Sequence, residues 1–178
     1  MLKRKLLIRL VVIAVITFAL VLGTVPLLGT FWHLLHGDTI SFAGQAVPVP
    51  KGFYVRQTPS GPAMWKQSIG RPFLSAPYAH ISLFYRPRGD SFAFDKDRDQ
   101  FKTQLAQDAS EEGYNLSTEQ TISLGEKRAY CLEFSRSSPN IGSLVRCAID
   151  GSAIVVFYEG DSRYVRDMQT VLRGIARN

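Results

Sequence analysis

The feature that most constrains this chain is its start. Lys3, Arg4, Lys5 and Arg9 are followed by no charged residue until Asp38. Leu10–Leu22 is almost purely aliphatic, and Leu6–Ile8 and Val25–Leu28 extend it on both sides. A hydrocarbon core of about 30 Å needs roughly 20 apolar residues in a helix, and Leu6–Leu28 is long enough, with Arg9 snorkelling to the headgroups. Four cations ahead of the apolar run hold the N-terminus in the cytoplasm. The expectation is therefore a cytoplasmic basic tail at 1–5, a transmembrane signal-anchor helix at 6–28 and a juxtamembrane linker at 29–37. An extracytoplasmic domain follows at 38–178. Phe31, Trp32, His33 and His36 fit an aromatic belt at the far interface. The competing reading is a cleaved signal peptide, but its apolar core is usually about 7–15 residues, and here the stretch runs on through Leu28 to Leu34-Leu35. Either way the domain is exported as a single-pass or processed envelope protein, periplasmic or extracellular. No cysteine near the apolar run offers a lipoprotein attachment site.

Four of the 21 basic residues precede residue 10, whereas all 15 acids lie at Asp38 or later, so the remainder carries +2 rather than +6. The basic balance is thus mostly topogenic. No Lys/Arg run interleaved with aromatics occurs, which argues against nucleic-acid binding.

Residues 38–178 suit one domain with one core. Thr39–Phe42 and Gln45–Val49 alternate around Ala43-Gly44, a small hairpin, and Pro48 and Pro50 confine its second strand to an edge or a strand end. Strands are expected at Phe53–Gln57, Ala63–Gln67 and Ala79–Arg86, with a loop at Ser68–Pro77. A helix follows at Phe92–Glu112, with Phe94, Phe101, Leu105 and Ala109 on one face, Asp90-Ser91 as its N-cap and Gly113 as its stop. Glu119–Leu124, Ala129–Ser135, Ser143–Ile149 and Ala153–Tyr158 read as an antiparallel meander, with Asp150-Gly151 turning the last pair. A second helix, Ser162–Ala176, carries the stripe Val165, Met168, Leu172, Ile175. The class is α+β, an antiparallel sheet covered by two helices.

Val47-Pro-Val-Pro-Lys-Gly-Phe53, together with Phe157-Tyr-Glu-Gly160 running into the closing helix, resembles the PsbP-like α/β/α sandwich, also seen in the DcrB family of bacterial envelope proteins. The resemblance spans most of 38–178 and implies a binding or assembly role with little shared chemistry. It carries over no site residues.

Cys131 and Cys147 have their midpoint at Pro139. A hairpin centred there sets them opposite each other, at the about 4.5–5.5 Å Cα spacing a disulfide bridges. Export to an oxidising compartment favours that bond over two buried thiols, and redox catalysis lacks a Cys-x-x-Cys spacing. His33 and His36 with Asp38 are better read as headgroup contacts than as a metal site. His80 is expected to be a hydrogen-bonded structural histidine. Gly-Asp-Ser occurs at 89–91 and 160–162, but both copies precede helices, where Asp and Ser cap free N–H groups, and no histidine follows His80 to serve as base. The mixed charges Asp95, Lys96, Asp97, Arg98, Asp99 and Lys102 read as a solvated face. So does Glu133, on an exposed side of the sheet. Asn115-Leu-Ser117 is a glycosylation sequon without force in a bacterial envelope protein.

Two functions remain. The first is a membrane-tethered envelope module without catalysis or cofactor, binding a partner protein or small ligand in a groove near Phe73, Tyr78, His80 and Tyr85. The alternative is an envelope hydrolase whose dispersed site would bring His80 together with a serine and an acid.

Overall fold

The computed structural model describes residues 11–13, 15, 17, 27–66, 79–86, 90–136 and 142–177. Among these, no helix is long and apolar enough to cross a membrane. Most of the expected membrane segment, 6–28, lies outside the described residues, as do the tail 1–5, Phe73 and Tyr78.

The domain opens with a two-stranded hairpin, β1 (Thr39–Phe42) and β2 (Gln45–Pro48). Ala43 and Gly44 turn it, both with positive φ (52° and 76°), the conformation that matches the twist of the flanking strands. Among the described residues seven further strands follow: β3 (Tyr54–Thr58), β4 (Gly61–Lys66), β5 (Ala79–Tyr85), β6 (Asn115–Leu124), β7 (Lys127–Ser135), β8 (Ser143–Ile149) and β9 (Ile154–Gly160). They form one sheet in the order β3-β4-β5-β9-β8-β7-β6, with every neighbouring pair antiparallel. The seam is β5–β9, where the early hairpins meet the late meander.

Helices α1 (Phe94–Glu111) and α2 (Val165–Ala176) lie on opposite faces. Alternation along the strands sorts the side chains. One face gathers Ile81, Leu83, Cys131, Cys147, Val156 and Tyr158 under Met168, Val171, Leu172 and Ile175 of α2, with Val47 of the hairpin. The other gathers Tyr130, Leu132, Phe134, Leu144 and Ala148 under Phe94, Leu105 and Ala109 of α1. The chain is thus an α+β fold with helices on both sides of an antiparallel sheet. Gly174 of α2 sits so close to Pro48 that an added Cβ would stand 2.1 Å from the ring Cδ, so α2 and the hairpin form one lid over the cysteine face.

Cys131 and Cys147 face each other in the β7–β8 register and form the disulfide, Cα atoms 4.2 Å apart. Their face is buried, which corrects the exposed-face reading of Glu133: its neighbours pack beneath α2, and Glu133 itself is half-buried towards the strand end.

The caps differ in origin. Asp161 accepts from the Arg163 N–H (2.9 Å) at the 3₁₀ turn Ser162–Tyr164, as the second Gly-Asp-Ser leads one to expect. The first copy does not cap α1. Its N-cap is Ala93, and Asp150 in the β8–β9 loop accepts from the Phe94 N–H at 3.0 Å. Two backbone bonds, Phe92 N–H to Ser152 and Gly151 N–H to Phe92, both 2.8 Å, clamp the same loop to the helix start. The Asp150-Gly151 turn therefore holds α1 as well as joining two strands.

Residues 27–36 are helical and pack on the domain through Gly29, buried against Gly52, and Trp32.

Candidate functional cleft

Helix α1 lies over β6 and β7 and leaves the β5–β9 seam on the same face partly uncovered. A cleft of about 290 Å³ opens there. Phe84, Val155 and Phe157 make its floor, and Asp97, Gln100, Phe101, Gln104, Leu105 and Asp108 its helical wall. The floor rings of Phe84 and Phe157 meet at a tilt of 43°, centroids 4.5 Å apart. Arg86 closes one end, bonded to Asp97 at 2.9 Å. The Ala93 N–H and then Arg86 hold the Asp97 carboxyl below its ordinary pKa, so it stays anionic at neutral pH. Aromatic walls set among fixed polar groups suit a small-molecule site.

Arg146 lies beside the floor, directly opposite Phe157 in the β8–β9 register. It is 7% exposed, its guanidinium sits 4.7 Å from the Phe157 ring centroid, and its nearest acid is Asp108 at 4.0 Å. Among the described residues its buried Nε has no hydrogen-bond partner. A buried guanidinium this weakly paired retains donor capacity and positive potential beside the floor. The sequence signal was one charge inside the otherwise apolar strand Ser-Leu-Val-Arg-Cys-Ala-Ile, since Arg is almost never fully buried unless paired.

Two other depressions lack such walls. One, about 530 Å³, lies between the Gly125 turn and Arg173–Arg177; the other, about 570 Å³, lies along the open side of α1 by Asp99, Thr103 and Gln107. Neither has an aromatic side.

His80 and Tyr85 are five residues apart on β5, so they point to opposite faces. His80 shares the cleft's face of the sheet, whereas Tyr85 stands at the cleft mouth, 52% exposed. The structure does not gather them into one groove. The His80 ring packs on Trp65 at 4.4 Å, and Arg56 lies 5.7 Å over the same indole. The His80 Nε2 and the Ser82 hydroxyl share a 2.9 Å hydrogen bond. Burial lowers the His80 pKa, which keeps the imidazole neutral near pH 7. Glu159 lies directly opposite His80 in the β5–β9 register but is exposed. Ser82 is held in mid-strand between Ala63 and Phe157 rather than on the sharp turn that presents a nucleophile.

His33 Nδ1 bonds Asp38 at 2.8 Å and its Nε2 lies 3.2 Å from the Pro50 carbonyl. Both ring nitrogens are thereby used within the fold. Among the described residues, no group of three potential ligands is placed to hold a metal.

No family model and no curated protein matches this chain.

Proposed function

We propose that the chain is a membrane-tethered, extracytoplasmic binding or assembly module of the bacterial envelope, without catalysis of its own. In this reading residues 1–5 stay in the cytoplasm, 6–28 anchor the chain in the membrane, and the domain from 38 to 178 stands outside. The buried disulfide supports export, since such bonds persist in oxidising compartments. Support for a PsbP-like kinship is the arrangement of a helix on each face of an antiparallel sheet.

The observation that carries the binding role is the cleft between α1 and the β5–β9 seam. Its paired phenylalanines, with the buried Arg146 beside Phe157, suit a small ligand, or a partner's side chain, with an apolar body and an acidic or hydrogen-bond-accepting end. Its mouth at Phe84–Arg86 lies about 17 Å along β5 from Ala79, at a strand rise of about 3.4 Å. Ala79 pairs with Lys66, which borders Gly52 and so the membrane-proximal helix. The cleft therefore opens at the end of the strand away from the anchor.

The test is native mass spectrometry of the full-length protein from gently solubilised membranes, beside a Gln104→Trp variant. Gln104 is exposed on the cleft wall, so an indole there fills the cleft and leaves the core intact. A ligand or partner retained by the wild type and lost by the variant supports the reading; equal retention sinks it.

The His80–Ser82 bond favours a second reading, an envelope hydrolase. Fluorophosphonate labelling that disappears in Ser82→Ala establishes it, and absence of labelling in the wild type removes it.

A further inference from the structure

The helix at 27–36 presents its apolar side outward. At about 100° per residue, Gly29, Trp32, His33 and His36 fall on one side, while Leu27, Leu28, Phe31, Leu34 and Leu35 fall within an arc of roughly 120° on the other. The first set holds the helix to the domain. A Cβ on Gly29 would stand 2.3 Å from the Gly52 carbonyl carbon, Trp32 packs against the core, and His33 is bonded to Asp38. His36 stacks on Trp32 with ring centroids 5.0 Å apart. The second set turns away from the protein: Phe31 is 55%, Leu34 75% and Leu35 79% exposed. A surface helix ordinarily directs its apolar stripe at the core, and a contiguous exposed stripe marks a contact with protein or membrane.

We infer that this face is a bilayer-contact surface. It lies in the headgroup–acyl boundary, and the helix is a rigid strut that fixes the domain's orientation against the membrane. The inference rests on the proposed anchor at 6–28. Continuity selects lipid as the occupant. The stripe begins at Leu27 and Leu28, the last residues of the apolar run from Leu6, and no charged residue intervenes between Arg9 and Asp38. A groove-binding partner would meet a polar rim around the apolar centre, which this stripe lacks on its anchor side. An interfacial helix seats its apolar face about 5–10 Å into that boundary, and the docked histidines then face the domain and the water.

The test uses the full-length protein in liposomes of phosphatidylethanolamine and phosphatidylglycerol. Single nitroxide labels are placed at Leu34→Cys, Leu35→Cys and, as a control on the exposed end of α1, Ser110→Cys. Collision with oxygen should dominate at 34 and 35, and collision with a water-soluble nickel chelate should be several-fold weaker there than at 110. Water-accessible labels at 34 and 35 in protein that resists carbonate extraction overturn the contact surface and leave the anchor standing. Protein released by carbonate overturns both. Spin–spin broadening between labels at 34 identifies a second copy as the occupant and overturns the lipid assignment. Gly29→Val crowds the Gly52 backbone and frees the strut while leaving the apolar stripe unchanged. The label at 110 should then gain rotational mobility several-fold, and unchanged mobility overturns the rigid attachment.

Discussion

Replacing Gly174 by alanine should destabilise this protein, although alanine is the better helix former. In an exposed helix interior the exchange gains about 1 kcal/mol. Here the new Cβ would stand 2.1 Å from Cδ and 2.3 Å from Cγ of Pro48, against an ordinary carbon–carbon contact of about 3.5–4.0 Å. The proline ring cannot swing aside as a flexible chain end would, so the hairpin must retreat by about 1.5 Å, the shortfall in that contact distance. Its neighbours Val47 and Val49 are 0% and 4% exposed, and a gap of even 0.5–1 Å forfeits about a quarter to a half of each dispersion contact. Overpacking of this kind costs about 1–3 kcal/mol. The penalty exceeds the propensity gain, and a net loss of about 1 kcal/mol is expected. With a urea slope of about 2 kcal/mol per molar, the midpoint falls by about 0.5 M. The assay is urea unfolding of detergent-solubilised protein followed by far-ultraviolet circular dichroism. Pro48→Ala deletes the two clashing carbons, so the double variant should recover most of the loss, a coupling of about 1 kcal/mol. A stabilised Gly174→Ala, or strict additivity in the cycle, refutes the reasoning.

Reducing the Cys131–Cys147 bond in denaturant and refolding should cost about 3 kcal/mol, since it releases a closed loop of about 15 residues; an unshifted urea midpoint contradicts this. Asp150→Ala removes the cap at the start of α1 and should cost about 1 kcal/mol, read from the same titration, whereas Ser91→Ala should change little. The His80 imidazole should titrate below its ordinary value of about 6.5 when followed by NMR. Because the folded value is the lower one, the associated stability is present above the unfolded pKa and is lost as pH falls through the folded pKa. His80→Phe should flatten that part of the pH profile, and an unaltered profile would count against the burial effect.

Much of the fold was legible because it is written in local periodicity. Ser143–Ile149 and Thr39–Phe42 fell at their expected bounds, and the stripes of both helices face the sheet. The cysteine pairing followed from the symmetry of one hairpin. The failures arise where a partner comes from far along the chain. Asp90 and Ser91 stand beside α1, yet the cap is Asp150, 56 residues beyond Phe94. Strand β6 begins at Asn115 rather than Glu119 because an edge strand is held by its backbone and needs no apolar alternation; its residues Asn115–Glu119 are mostly exposed. His80 and Tyr85 cannot share one face of β5, because their odd spacing sends them to opposite sides of the strand. The cleft itself depends on where α1 lies across the seam, which no local pattern records.

The β5–β9 seam has a consequence for how the molecule is made. A ribosome delivers β5 long before β9, with α1 and three strands still to come. Over that interval β5 can pair with β4 on one side only, and its other edge, the alternating stretch Ala79–Tyr85, offers unpaired backbone groups to any strand nearby. The meander β6–β9, built from short-range hairpins, closes quickly once released, and β9 then seals the exposed edge. Biogenesis of this protein is therefore most vulnerable to misassociation between the emergence of β5 and the arrival of β9, and substitutions in β9 should lower yield out of proportion to their effect on the finished molecule.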